Sequence, residues 1–353
     1  MVSLLLPLRG EAAVQGLCSD CHTMHNSQQN TLVAFTLENT GERIARPEAF
    51  GKLLKTDCVG CHSHAGPETI VTLGDSRVPV VFNLTEPTYP PDGSTSSTLA
   101  GGNFHWLLQA GDPHGHNVQA ISGPDYRFPG FAPGGVPRTE DCADCHTTLA
   151  TPQSGCNGCH TPHHHADGDS LVVGREEGWY RFLGSVMQRD GSPLPPPAGV
   201  AGIEAPDWEQ NPLSSRHNVY QGKPGPYVNF LETGSINQKC AGCHGLFHSQ
   251  TAAESAWIRH PVDAAIPDRG EFTGFSTYDP LVPVGRQNVT PEDANFTSIN
   301  RGSDLVACIS CHRPHGSPYP AMLRWGYRAW PGIDPHTGQP AVNGCAVCHT
   351  AKS

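Results

Sequence analysis

All 14 cysteines of this chain stand in one pattern. They fall in seven Cys-x-x-Cys-His units: Cys18/Cys21/His22, Cys58/Cys61/His62, Cys142/Cys145/His146, Cys156/Cys159/His160, Cys240/Cys243/His244, Cys308/Cys311/His312 and Cys345/Cys348/His349. No cysteine is left over for a disulfide. Two thiols at this spacing, followed at once by an imidazole, are what covalent haem attachment needs. Each thiol adds to a porphyrin vinyl group, and the histidine takes the iron as proximal ligand. Zinc sites use Cys-x-x-Cys pairs without requiring histidine next, and seven thioredoxin-like sites in one chain have no physical purpose. The units are read as seven haem c sites. Their proximal ligands are His22, His62, His146, His160, His244, His312 and His349.

The second face of each iron also needs a ligand. The chain has 20 His and only 4 Met, so bis-histidine ligation is expected. That ligation lowers the potential and closes the iron to substrates. His25, His64, His163, His248 and His315 each follow an attachment unit closely. Such a histidine is tethered beneath its own porphyrin and cannot pass round the ring, but it can ligate a neighbouring haem. His116 and His217 lie in His-Asn-Val contexts, and His260 precedes a proline. These eight are candidates for seven places. His105, His114, His164, His165 and His336 weigh less, and the run His163–His165 also reads as a metal-binding tract. The plain alternative for any loop histidine is a surface or propionate-binding role.

The elements that hold these groups must be unusual. Hydrophobic residues are 37% of the chain, against 39 Gly and 33 Pro. Such a composition alone would read as largely disordered. Seven flat apolar porphyrins change that, because they can themselves form the core. The expected fold is mostly irregular, with short α-helices at the attachment sites and little β-structure, wrapped around a chain of stacked haems. Residues 1–353 read as a single heptahaem unit, with residues 1–17 a signal remnant or N-terminal arm. In both 58–146 and 156–244 a tryptophan, Trp106 or Trp208, precedes a His-Asn-Val, which reads as an internal duplication. Cys142 and Cys156 are so close along the chain that their haems should be nearest neighbours. "TAAESAWIRH" (251–260) reads as a helix stopped by Pro261, and the aromatic residues of 321–330 are expected to pack on haem faces.

Charge narrows the partners. The formal net charge is −11, and each ferric haem with its two propionates adds about −1. This argues against nucleic acid and anionic membrane surfaces. No stretch approaches transmembrane length. "MVSLLLPLRG" is too short for a full signal peptide, yet haem c is attached outside the cytoplasm, so the chemistry requires export through the periplasm.

Several islands occur in a familiar order: "CSDCHTMHNS", "CVGCHSHAG", "GHNV", "CAGCHGLFHS…RHP", "CISCHRPHGSPYPAMLR" and "CAVCHTAKS". They resemble the multihaem c-type cytochromes of the extracellular cytochrome filament, or nanowire, family. The likeness covers nearly the whole chain as islands around haem sites. A hexahaem member has one middle site where this chain has the close pair at Cys142 and Cys156. The resemblance implies a secreted homopolymer on the cell surface, with redox partner cytochromes and extracellular electron acceptors. It also implies that His25 leaves its own subunit to ligate the haem on Cys308/Cys311/His312 of the next. His25 cannot serve its own haem and lies near a chain end, which suits outward reach. The intramolecular alternative for His25 is the haem at Cys58/Cys61. A head-to-tail contact of this kind gives open helical polymers when it does not close.

The expected function is therefore electron transfer and not enzymatic catalysis. A soluble monomeric periplasmic shuttle is the alternative. A multihaem nitrite- or hydroxylamine-type reductase would need an iron with an open face, and all seven units end in histidine.

Overall fold

One helical turn explains why the attachment spacing works. The computed structural model describes residues 27–28, 31–32, 35–37, 43–45, 58–88, 98–116, 118, 121, 156, 159–160, 170–184, 199–224, 235–244 and 260–351. Within them, α1 is Cys58–Cys61, α2 is His105–Ala110, α3 is Ile236–His244, α4 is Cys308–Cys311 and α5 is Cys345–Cys348. The His62 N–H donates to Cys58 O at 2.8 Å, His312 to Cys308 O at 3.1 Å and His349 to Cys345 O at 2.9 Å. His160 donates in the same way to Cys156 O at 2.9 Å. Residues i, i+3 and i+4 share one side of a helix, so the two thiols and the imidazole emerge together. A single turn is unstable alone; these turns persist through their packing.

Short strands join the attachment turns. A four-stranded sheet runs in the order Leu305–Val306, Val284–Arg286, Val219–Gln221, Gly202–Ile203. Its central pair is parallel and its flanking pairs antiparallel. Val219, Val284 and Leu305 of this sheet are fully buried. Ile70–Leu73 and Ser76–Pro79 form a hairpin, with Gly74 at φ +60° as a two-residue turn prefers. Ser63–His64 pairs in parallel with Phe82–Asn83, directly after α1.

The apolar interior is divided among the attachment turns. Val59 of α1 packs with Phe82, Phe104, Leu107, Val118 and Ile121, and Cys156 abuts that group. Ile236 of α3 and Ile309 of α4 share a second cluster with Tyr180, Val200, Tyr220 and Ala307. Cys311 and Cys348 both pack against a third, formed by Leu281, Val282 and Trp325. The clusters are small, and attachment cysteines abut the first and the third.

The expected architecture, irregular with short helices, is what the described residues show. The strands are more numerous than the composition suggests, but each is two to four residues long. Backbone N–H and C=O groups drawn inside must pair, and brief strand pairings satisfy them where the chain crosses itself. Residues 251–259 of the expected helix lie outside the described residues. The 321–330 segment forms two short 3-10 turns, Pro320–Met322 and Tyr327–Ala329. Trp325 is buried there, whereas Tyr327 and Trp330 are exposed.

Candidate haem-iron sites

Three proximal histidines face a second imidazole at one recurring distance. The His160 and His315 ring centres are 6.0 Å apart, those of His116 and His244 6.0 Å, and those of His260 and His349 6.2 Å. Metal–imidazole bonds of about 2 Å on opposite faces of one metal put the ring centres about 6 Å apart. The residues therefore fit a bis-imidazole iron. His116, His260 and His315 are all among the second-face candidates.

Four of these six rings, and the further proximal rings of His62 and His312, are held from behind. His62 donates Nδ1–H to Pro79 O at 2.7 Å, His160 to Arg181 O at 3.0 Å and His312 to Ala321 O at 2.7 Å. His116 uses Pro314 O at 2.6 Å, and His260 uses Pro261 O at 2.9 Å. His349 Nδ1 lies 2.8 Å from Glu271 Oε1. A second-shell acceptor on Nδ1 fixes the tautomer and leaves Nε2 as the metal-binding lone pair.

His315 shows how the fold places such a ring. Its N–H donates to Gly101 O at 2.7 Å, and the Asn103 N–H returns a bond to Gly316 O at 3.1 Å. Buried Arg313 donates Nη1–H to Leu99 O at 2.8 Å. Phe104 stacks on the imidazole at 4.9 Å. Gly101 and Gly102 allow this approach. A side chain on Gly101 would meet the His315 ring, and Gly102, at φ +82°, abuts Gly316 O.

Burial keeps three of these rings neutral, as ligation requires. Burial pushes His160 down to about 4, partly opposed by its bond to Arg181 O. Burial, with His160 and His116 nearby, pushes His315 down to about 3. Burial also lowers His116. Two thiols move the other way: burial raises Cys311 and Cys348 to about 12, whereas the hydrogen bond from Cys308 holds Cys240 below the usual thiol range. Groups raised in this way react as thiols and are not the standing thiolates of a preformed metal site.

The described attachment sites lie close together. The Cys240 and Cys308 thiols lie within hydrogen-bonding reach of each other. Cys159 lies close enough to Cys240 to feel its charge. Cys311 and Cys348 share the Trp325 cluster, and His62 influences both His160 and His315. Among the described residues the buried Trp325 Nε1 meets no hydrogen-bond acceptor, and a haem propionate beside Cys311 or Cys348 is an acceptor that it fits.

Other candidates are placed differently. His217 is buried and stacked on Tyr278 at 3.5 Å. Its Nδ1 lies 2.8 Å from Asn218 O and its Nε2 2.8 Å from Phe296 O, so both nitrogens face carbonyls. His64 is half-exposed beside Glu68 at 3.0 Å and lies 3.1 Å from the Gly66 N–H. His105, given less weight from sequence, is buried on α2 with Nδ1 2.9 Å from Asn83 O. No local sequence signal separates it from a packed core histidine. His114 reaches Ser317 O at 3.2 Å, and His336 lies 3.6 Å from Glu86.

Two whole attachment units fall outside the described residues. They are the first, Cys18, Cys21 and His22, and the third, Cys142, Cys145 and His146. The second-face candidates His25, His163 and His248 lie outside them too, as does the side chain of Cys243. The expected adjacency of the haems at Cys142/Cys145 and Cys156/Cys159 therefore rests on their spacing along the chain.

Residues 300–353 match the family model described as a doubled CXXCH motif. The C-type cytochrome OmcS of Geobacter sulfurreducens is 24% identical over 374 aligned positions, covering 87% of this chain and 78% of that protein. A solved structure of the outer membrane cytochrome S filament from the same organism covers 96% of this chain at 19% identity, with a TM-score of 0.49. One of the OmcS nanowires covers 98% at 19% identity, with a TM-score of 0.46. Among the described residues no helix is long and apolar enough to cross a membrane. In its attachment motifs, its doubled unit at 300–353 and its match over 78% of that relative, this chain resembles the OmcS-type multihaem c-type cytochromes.

Proposed function

We propose that this chain is an extracellular electron conduit with seven bis-histidine c-type haems that polymerises head to tail. Haem c supplies the one-electron ferric/ferrous couple. The observation that carries this reading is the set of three imidazole pairs 6.0–6.2 Å apart. On that basis His315 closes the iron attached at Cys156/Cys159, His116 the iron at Cys240/Cys243 and His260 the iron at Cys345/Cys348. With both faces taken, these residues leave no position for a substrate, so the sites act as relays. Contiguous attachment thiols support short hops in the order Cys156, Cys240, Cys308, Cys345. The units Cys18/Cys21/His22 and Cys142/Cys145/His146 complete the proposed seven by their identical spacing.

Assembly rests on His25. The exposed hydrogen bond of His312 to Ala321 O suits a haem edge near the surface, where His25 of another copy can complete the iron. Residues 58–146 and 156–244 are proposed to be two copies of one ancestral unit. The chain is proposed to act outside the cell, in keeping with haem c attachment beyond the cytoplasm.

The test is a haem count per polypeptide by pyridine haemochrome and mass spectrometry, with carbon monoxide binding and negative-stain microscopy of the same sample. Seven haems, fully low-spin and unreactive to carbon monoxide, in a filament are expected. Fewer haems, or several open irons, would overturn the relay reading. A strictly monomeric protein with intact spectra would favour the periplasmic shuttle.

A further inference from the structure

His349 differs from His62, His160 and His312 in what stands behind it. His62, His160 and His312 place Nδ1 on neutral backbone carbonyls. His349 places it on the Glu271 carboxylate, 2.8 Å away. That carboxylate is held in place. Glu271 sits in the 3-10 turn Gly270–Phe272, and the Thr350 hydroxyl donates to Glu271 O at 2.7 Å. The Gly274 N–H returns a bond to Thr350 Oγ1 at 3.2 Å, so the turn and the residue after His349 are clamped together. Phe272 lies against the His349 ring at 4.8 Å. Both His349 and Glu271 are about three-quarters shielded, with side-chain exposures of 24% and 25%.

Resting on the conduit reading, we propose that Glu271 is a redox-tuning residue that lowers the potential of the haem attached at Cys345 and Cys348. Two effects act in the same direction. A carboxylate on Nδ1–H raises the electron-donating power of Nε2. A fixed negative charge behind the ligand also favours ferric iron, which carries one more positive charge than ferrous. The last haem of the chain is thereby harder to reduce than it would be over a carbonyl. Electrons rest there least and pass readily to the neighbouring haem at Cys308/Cys311. No proton or bond changes hands; Glu271 only biases a one-electron equilibrium.

The experiment is a spectroelectrochemical titration of the full-length protein with Glu271→Gln and Glu271→Ala. Glutamine keeps an acceptor oxygen and removes the charge. The expected result is that an amplitude of one haem moves to higher potential in both variants. The shift is about tenfold in the ferric/ferrous ratio, or roughly 59 mV for a one-electron couple. The irons stay low-spin, and the electron paramagnetic resonance g-values of one haem change. An unmoved titration in Glu271→Gln, with all haems attached and low-spin, would overturn the proposal. A rise confined to Glu271→Ala would also overturn it, because orientation and not charge would then be what Glu271 supplies. Were the wild-type peptide bearing Cys345 and Cys348 found without haem, the conduit reading would fail first and this inference with it.

Discussion

Gly101→Ala tests the imidazole geometry without touching a ligand. A β-carbon on Gly101 would stand 2.9 Å from His315 Nδ1 and 3.0 Å from Cε1. Comfortable carbon contacts begin near 3.5–4 Å, so the ring must retreat by about 0.5–1 Å. The main chain cannot absorb this movement. His315 N–H is bonded to Gly101 O at 2.7 Å, and Asn103 N–H to Gly316 O at 3.1 Å, so both strands of the contact are fastened together. A metal–ligand distance tolerates only about 0.2 Å. The retreat therefore exceeds what an iron–imidazole bond accepts, at a packing cost of about 1–3 kcal/mol. The expected product retains every haem but has one open iron per chain. The assay is carbon monoxide difference spectroscopy on the reduced protein, normalised to total haem, with His315→Ala as the reference for one fully opened iron. If His315→Ala binds one equivalent and Gly101→Ala binds none, the pinning argument is wrong. If neither binds, His315 is not the ligand.

Other perturbations separate ligands from structural residues. His116→Ala should open one iron to carbon monoxide, whereas His217→Ala should leave the low-spin spectrum intact and lower the denaturant midpoint, because both His217 nitrogens face carbonyls. Asp304→Asn breaks a buried pair with Arg286 at 3.0 Å and should destabilise the fold by about 3–5 kcal/mol, read by denaturant titration with the haem count unchanged. His25→Ala should leave seven haems attached, abolish filaments in negative stain and produce one high-spin iron; filaments of normal length in that variant would refute inter-subunit ligation.

The attachment turns were legible in the sequence because their chemistry is local. Cys, Cys and His at i, i+3 and i+4 define a helix face within five residues, as α1, α4 and α5 show. The partners of His160, His244 and His349 were nameable as types but not as pairs, because His315, His116 and His260 lie far from them along the chain. Only the fold brings such groups together. The two His-Asn-Val segments illustrate the limit. Their sequences match, yet His116 meets His244 while His217 lies against Tyr278 and Phe296. A tripeptide specifies a backbone habit and not what the ring will face. His105, given less weight from sequence, is buried with Nδ1 2.9 Å from Asn83 O. The small sheets escaped because two-residue strands carry no alternation to detect.

The bond from His116 to Pro314 O has a mechanical consequence. Pro314 and His315 are consecutive, with α-carbons about 3.8 Å apart across one trans peptide. The imidazole assigned to one iron and the backstop of the imidazole assigned to the next thus hang from a single peptide unit. Thermal breathing or stretching of the molecule shifts both anchors as one body, so the gap between these two metals follows covalent dimensions more than side-chain packing. Under the proposed ligation, such a joint keeps the hop length between these two haems when the surrounding loops flex.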